Sequence, residues 1–385
     1  MNFTQPQITE IIESIIKEED GLNKILQTSL EAIMNSEREV FNEVHQDYSN
    51  GYRRRKAFGH QKAIELSVPR TRNGFYPTIL ALLKNQEAEA HAIAFDLYKK
   101  GLSTAQVGET FDIIYGKKYS TSQVSRMFDN ARDEIKDWLK RPLLNYYPIV
   151  YIDCVFLPTR RVDSVSKEAY YVLLAVRPDR TREVLGIYNS PTEGAEQWKI
   201  IFEDIKYRGV EKIDLFVSDA LAGIENSIAF HFSEASIQLC VVHLQRHMSS
   251  YVKPKHKEEF AEDFKEVFYT NNKKDSKAKA IQRFNEMCDK WNKYYTSFTK
   301  KKQDLRTQYY FTFYEYDYRM RNMIYTTNWI ERLNRDFRRT TRMRGALPSV
   351  DAALLLLGGV AMDKACYNRK VPKLDYETDK FKWED

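Results

Sequence analysis

The chain has 385 residues, a formal charge of +6 and an apolar fraction of 43%, enough for two or three domains with real cores. Its longest apolar run, residues 350–362, carries Asp351 and two glycines and is too short to span a bilayer. The four cysteines, at 154, 240, 288 and 366, form no CxxC pair, which excludes a disulfide framework and points to a reducing compartment. The N-terminal MNFTQPQITEIIES lacks a basic region and a long apolar core, so no signal peptide is expected and the expected location is cytoplasmic. The charge is unevenly spread: residues 1–50 are acidic, whereas 51–72 and stretches between 253 and 344 are rich in Lys and Arg. Local basic surfaces of that kind meet phosphate backbones.

In chain order, residues 8–34 read as a helix, with Leu22, Ile25, Leu26, Leu30 and Ile33 on one face. An acidic amphipathic segment (1–50) suits docking or dimerisation. A small basic β-unit follows (51–85). Arg53, Arg54, Arg55 and Lys56 precede a strand in which Ile64, Leu66 and Val68 alternate, with Gly59-His60 as a bend and Asn73-Gly74 as a turn. The arginines would lie against phosphates or form a solvated basic loop. Residues 86–146 read as three helices. The first ends near Gly101, Ser103 caps the second, and Ser120 or Thr121 caps the third. On the third, Val124, Phe128, Ala131 and Ile135 face inward. Ser122, Gln123, Ser125 and Arg126 stand out near its start, where the recognition helix of a helix-turn-helix reads base edges. A plain three-helix bundle is the alternative.

From residue 147 the pattern becomes α/β. Strands are expected at 149–157, 167–177 and 182–189, a helix at 192–208, a strand at 212–219, a short helix at 223–232 and a strand at 235–242. Three strands, helix, strand, helix, strand is the order of an RNase H-like sheet. It places Asp153 inside the first strand and Asp219 at the end of the fourth, on neighbouring strands. A long helical insertion (244–324) follows, in which Phe260, Phe264, Phe284, Trp291, Tyr294 and Phe298 recur at helical spacing as core. The α/β core resumes with helices at 325–369, and a charged tail (370–385) ends the chain.

The stretch YTTNWIERLNRDFRRTTRMRG, 325–345, starts as a helix with Asn328 as N-cap and Glu331 as its capping-box partner. Ile330, Leu333 and Phe337 form the buried stripe. Glu331, Arg335, Arg338, Arg339 and Arg342 share another face. One carboxylate beneath a ladder of arginines suits a metal ion beside a polyanion; a solvated helix with a Glu331–Arg335 pair is the ordinary alternative. Mg²⁺ takes oxygen ligands, and two such ions can clamp an in-line phosphoryl displacement. Asp153, Asp219 and Glu331, from two strands and one helix, are the acids placed for that work. An aspartate inside an apolar strand is costly unless paired or metal-bound, so Asp153 is the most telling of the three. Cys240 and His243 have the spacing of half a zinc site, with no second pair to complete it.

Several blocks carry a family resemblance: SVPRTRNG (67–74), GLSTAQV (101–107) with YSTSQVSRM (119–127), VLGIYNSPTEGAEQW (184–198), RGVEKIDLFVSDALAG (208–223), QLCVVHLQRH (238–247) and YTTNWIERLNRDFRR (325–339). Through them, from about residue 50 to 369, the chain resembles the Mutator-type transposases of bacterial insertion sequences, a DDE group with an RNase H-like core. The resemblance implies a catalytic and metal-binding triad of Asp153, Asp219 and Glu331, with two Mg²⁺ ions for which Mn²⁺ can substitute. It also implies an all-α insertion domain within the core and an N-terminal region that binds terminal inverted repeats. The expected partners are those repeats and target DNA, with a homodimer or larger assembly on DNA, at the bacterial nucleoid; no membrane and no small-molecule cofactor are expected. Cys240 and His243, also carried by the family, are read as active-site support. Arg335, Arg338, Arg339 and Arg342 would hold phosphates. The chain departs from the family at Ala220, Ala222 and Leu239, where Gly, Lys and Arg are usual. The expected activity is metal-dependent DNA cleavage and strand transfer; the alternatives are a nuclease without strand transfer and a catalytically impaired DNA-binding remnant.

Overall fold

The computed structural model describes residues 20–363 except 61, 117, 191–194, 272 and 343, together with 9, 13 and 381. The expected beginning of the first helix, Cys366, the end of the last helix and all of the charged tail but Phe381 lie outside the described residues. The chain forms two compact units, one up to Arg132 and one from Asp133.

The first unit opens with helix α1 (Gly21–His45) and the antiparallel hairpin β1 (Ser49–Phe58) and β2 (Ala63–Thr71). The basic run is therefore itself a strand, because its partner supplies the apolar face: Ile64, Leu66 and Val68 pack with Met34 and Leu30 of α1 and with Leu80 and Leu83. The expected apolar face of α1 is corrected here. Leu30 and Met34 point to the core, whereas Leu22, Leu26 and Ile33 are exposed.

Helices α2 (Ile79–Lys99), α3 (Thr104–Tyr115) and α4 (Thr121–Met127) follow. Ser103 and Ser120 each close a capping box, with Gln106 and Gln123 as reciprocal partners. The long third helix expected from sequence is broken. The chain leaves helical geometry at Phe128 and restarts as α5 (Asp129–Lys140), because Phe128 turns into the aromatic cluster of Phe95 and Tyr98. Between α3 and α4 the backbones approach closely: a Cβ on Gly108 would meet the Tyr119 carbonyl oxygen at 2.6 Å.

The second unit is a five-stranded mixed sheet of order β5-β4-β3-β6-β7. Its strands are β3 (Tyr146–Arg160), β4 (Val165–Val176), β5 (Arg182–Ser190), β6 (Lys212–Ser218) and β7 (Ser236–Leu239). The first three are antiparallel, and β6 and β7 run parallel to β3. Helix α6 (Ala195–Tyr207) covers one face, with Trp198 against Tyr171 and Phe202 against Phe216. Helix α7 (Ile224–His231) packs beside it.

The strand expected at 235–242 stops at Leu239. Cys240 donates its backbone N–H to Ser218 and becomes the N-cap of α8 (Val241–Ser250), since the edge of the short β6 offers no further partners. The helical segment holds α9 (Lys257–Val267), α10 (Lys277–Asn292) and α11 (Ser297–Gln303) around Phe260, Phe264, Phe284, Trp291 and Phe298, all buried; Tyr294 alone of the expected aromatic set is exposed. A 3-10 stretch, Leu305–Glu315, covers the β7 edge, where Phe313 N donates to Gln238 Oε1 at 2.6 Å. Helices α12 (Tyr318–Ile324), α13 (Asn328–Thr341) and α14 (Val350–Met362) complete the described chain, and none of the described helices is long and apolar enough to cross a membrane.

Gly108→Ala should lower stability by about 1–3 kcal/mol, since its methyl would be driven into a backbone carbonyl rather than a movable side chain. Urea melts of wild type and variant measure this; equal midpoints would show that α3 and α4 can part freely.

Candidate active site

Parallel pairing of β3 and β6 sets the site. Ile152 is in register with Ser218, so Asp153, next on β3, and Asp219, just past the end of β6, stand at neighbouring positions. Tyr151 shares the face of Asp153 and stacks on Trp329 of α13, which lays α13 across both aspartates. Asp153 is 5% exposed. Its Oδ1 accepts the Cys154 N–H at 2.7 Å, and its Oδ2 accepts from Asn334 Nδ2 at 2.6 Å. Burial, reinforced by the charge of Asp219, pushes its carboxyl up to about 7. The oxygen of the same Asn334 amide is buried without a partner.

Glu331 reaches the same place by a route that corrects the expected cap. Asn328 is the first residue of α13, Thr327 is the N-cap position, and no capping box forms. The Thr327 hydroxyl lies between the acids instead, 3.4 Å from Asp219 Oδ1, 3.2 Å from Glu331 Oε1 and 3.4 Å from Cys240 Sγ. Glu331 is thereby left to face Asp219 rather than to bond its own helix end.

Cys240 and His243 stand on the other side of Asp219. His243 Nδ1 is 2.7 Å from Asp219 Oδ1, 3.2 Å from Cys240 Sγ and 3.9 Å from Glu331 Oε1. The hydrogen bond to Asp219, then that to Cys240, holds the imidazole up to about 10, charged at neutral pH. Burial alone would raise the Cys240 thiol, but the hydrogen bonds with His243 and Thr327 outweigh it and the net direction is down. Val241 N donates to the Tyr325 carbonyl at 3.0 Å, tying α8 to the approach of α13. The loop after Asp219, where Ala220 and Ala222 stand, is held through its backbone: Trp198 Nε1 donates to Ala222 O at 3.1 Å and Arg306 to Leu221 O at 3.1 Å.

Asn328, Glu331, Arg332, Arg335 and Arg338 line an open groove of 350 Å³. Arg339 on α13 and Arg342 just past its end are exposed but are not part of that lining. In the first unit, Ser122 and Arg126 are exposed and Ser125 is half-buried, while the Gln123 side chain accepts from Ser120 N at 2.8 Å and is committed to the cap. Arg54 and Arg55 are paired with Glu65 and Glu87, the first of them at a highly exposed position; Arg53 is exposed.

Thr327, Asn334 and Arg332 were not foreseen. Asn334 had a usable signal, since it follows Glu331 by three residues and shares its helix face. Thr327 had none, because a cap position does not reveal what the hydroxyl will meet. Among the described residues, the ligand atoms of Asp219, Cys240 and His243 lie within 4.8 Å of one another; Glu331 stands 3.9 Å from His243, and Asp153 is on the neighbouring strand with the buried Asn334 oxygen close by.

In the absence of divalent metal, Asp153→Asn should stabilise the protein at pH 8 by on the order of 1–3 kcal/mol, because a buried charge beside a second acid, only partly relieved by its two hydrogen bonds, is removed. The free Asn334 oxygen can accept from the new amide. A carboxyl held above its unfolded value favours the native state only while protonated. That contribution is full below the ordinary value of 3.8 and gone above about 7, so the advantage of the variant should shrink as pH falls through this window. Thermal melts across pH measure it; a variant less stable than wild type at pH 8 would show that the ionised Asp153 is adequately satisfied without metal.

Comparison with known proteins gives a family match, described as "Transposase, Mutator family", over residues 4–369. The transposase for insertion sequence element IS1201 of Lactobacillus helveticus is 28% identical over 364 residues, which span 94% of this chain and 96% of that protein. A probable transposase for an ISRM3-like element of Sinorhizobium fredii is 29% identical, spanning 92% of this chain and 90% of its own. The transposase for element IS256 in transposon Tn4001 of Staphylococcus aureus is 28% identical and covers 93% of both chains. Among solved structures, the Drosophila P element transposase strand transfer complex aligns at a TM-score of 0.31 and 10% identity.

Proposed function

The chain belongs to the Mutator family of transposases, and from that membership we propose that it is a DDE transposase, with Asp153, Asp219 and Glu331 as the acids of an RNase H-like core. The observation that carries the reading is the meeting of Asp153 and Asp219 on neighbouring parallel strands with Glu331 brought over them by α13. Divalent cations held by these three carboxylates, Mg²⁺ for preference and Mn²⁺ as a substitute, would supply the charge neutralisation and activated oxygen that phosphodiester hydrolysis and strand transfer require.

The chain's own residues prepare that chemistry. Asn334 and the Cys154 amide fix both oxygens of Asp153, so its lone pairs face one way. His243 and the Thr327 hydroxyl hold Asp219 in place, and Cys240 supports both of them. Arg335 and Arg338, in the groove beside Glu331, receive phosphates of the bound strand. In the first unit, α3 and α4 form a helix-turn-helix that reads the terminal inverted repeats through Ser122, Ser125 and Arg126. Both ends of the element must be held for transfer, so the active form is a dimer or larger assembly.

The test incubates purified protein, Mg²⁺ and DNA bearing the sequences that flank its gene. Wild type should cut at inverted repeats and join the freed 3′ ends to target DNA, while Glu331→Gln should bind without cutting. Cutting without joining would favour a nuclease, and binding without cutting by wild type would favour an impaired remnant. A second measurement addresses the groove. Arg335→Ala with Arg338→Ala should make the slope of log K against log salt shallower by roughly 2, about 0.9 per lost phosphate contact. An unchanged slope would remove both arginines from the DNA path.

A further inference from the structure

Helix α1 turns one face to β2, and beside that face it carries an ordered apolar stripe. Leu22, Leu26, Ile33, Val40 and Val44 are 54%, 36%, 46%, 58% and 68% exposed. At the helical repeat of about 100° per residue all five fall within about 40° of one another, along about 33 Å of helix. Scattered exposed apolar residues need no explanation; five in one line do. Leu26, Ile33 and Val40 are seven residues apart, the interval of a helix–helix seam.

The stripe is also symmetric in sequence. Leu26 and Val40 each stand seven residues from Ile33, and Leu22 and Val44 each stand eleven. An identical helix laid antiparallel, with a two-fold axis at Ile33, therefore sets Leu22 against Val44, Leu26 against Val40 and Ile33 against itself. That is the self-complementary pattern a two-fold interface demands. About this axis Glu37, on the flank of the stripe, falls opposite Ser29 rather than another acid. The stripe offers roughly 500 Å² of apolar surface per copy, which doubled reaches the scale at which protein interfaces become specific.

We propose that α1 is a homodimerisation element, joining two copies of this chain as an antiparallel helix pair about Ile33. The inference rests on α1 alone and not on the assignment of the three acids: a cleavage failure would leave it standing, and a monomeric protein would leave the cleavage chemistry untouched.

Sedimentation of the full chain without DNA at micromolar concentration tests it. Wild type should be a dimer. Ile33→Asp, which would place two carboxylates together on the two-fold axis, should weaken the dimer by about a hundredfold or more, with unchanged helical circular dichroism because the residue lies outside the core. Direction is read by cross-linking. Leu22→Cys and Val44→Cys proteins, each alone, should not form disulfide dimers, whereas their mixture should. A monomeric wild type, a dimer unaffected by Ile33→Asp, or Leu22→Cys linking to itself would each overturn the proposal.

Discussion

A carboxylate inside an apolar strand is the feature on which the second unit depends. Asp153 lies mid-strand with apolar neighbours on β3 and β4, and the parallel pairing of β6 sets Asp219 beside it. Two acids so placed repel, and burial magnifies the repulsion. A fold selected only for stability would not keep them together. The surrounding hydrogen bonds relieve the cost in part: Asn334 and a backbone N–H hold Asp153, and the His243 imidazolium lies against Asp219. What is left is a buried carboxylate beside a second acid, and the proposed divalent cation would act on that same repulsion.

The rest of the unit brings helices to that point from far along the chain. The stop of β7 at Leu239 frees Cys240 to cap α8, and one helical turn later His243 meets Asp219. The helical segment after α8 returns the chain over the β7 edge through Gln238, then through Tyr151, whose hydroxyl donates to the Met323 carbonyl at 3.0 Å. Thr327 ties the start of α13 to Asp219 and Cys240 together. Each acid therefore belongs to a different rigid element, and the hydrogen bonds among their supports preserve the relative positions.

Much of the element order was legible from residue pattern. Apolar runs of four to nine residues identified the strands, and aromatic spacing identified the helices around Trp291. Ser103 was legible as a cap and Ser120 as one of two candidates; the structure shows both closing capping boxes with the glutamine three residues on. The misreadings share a cause: local signals do not know their tertiary neighbours. Asn328-x-x-Glu331 has the form of a capping box, yet Asp219 and Cys240 draw Thr327 into the cap position and Glu331 toward the site. The period through Phe128 continues as a helix on paper, yet Phe128 is taken by Phe95 and Tyr98. The apolar residues of α1 read as one face, yet β2 can cover only part of them.

The sequence by itself determined which residues were chemically costly, because an aspartate within Ile-Val-Tyr-Ile-Asp-Cys-Val and a glutamate among arginines are improbable by local energetics alone. It also determined the family, through blocks spread along most of the chain. Only the tertiary structure decided that Asn334 holds Asp153, that Thr327 spans two acids, that Arg54 and Arg55 face Glu65 and Glu87, and which side of α1 stays open. Those are pairings across tens or hundreds of residues. Strand register and helix docking create them, and neither is encoded at any single position.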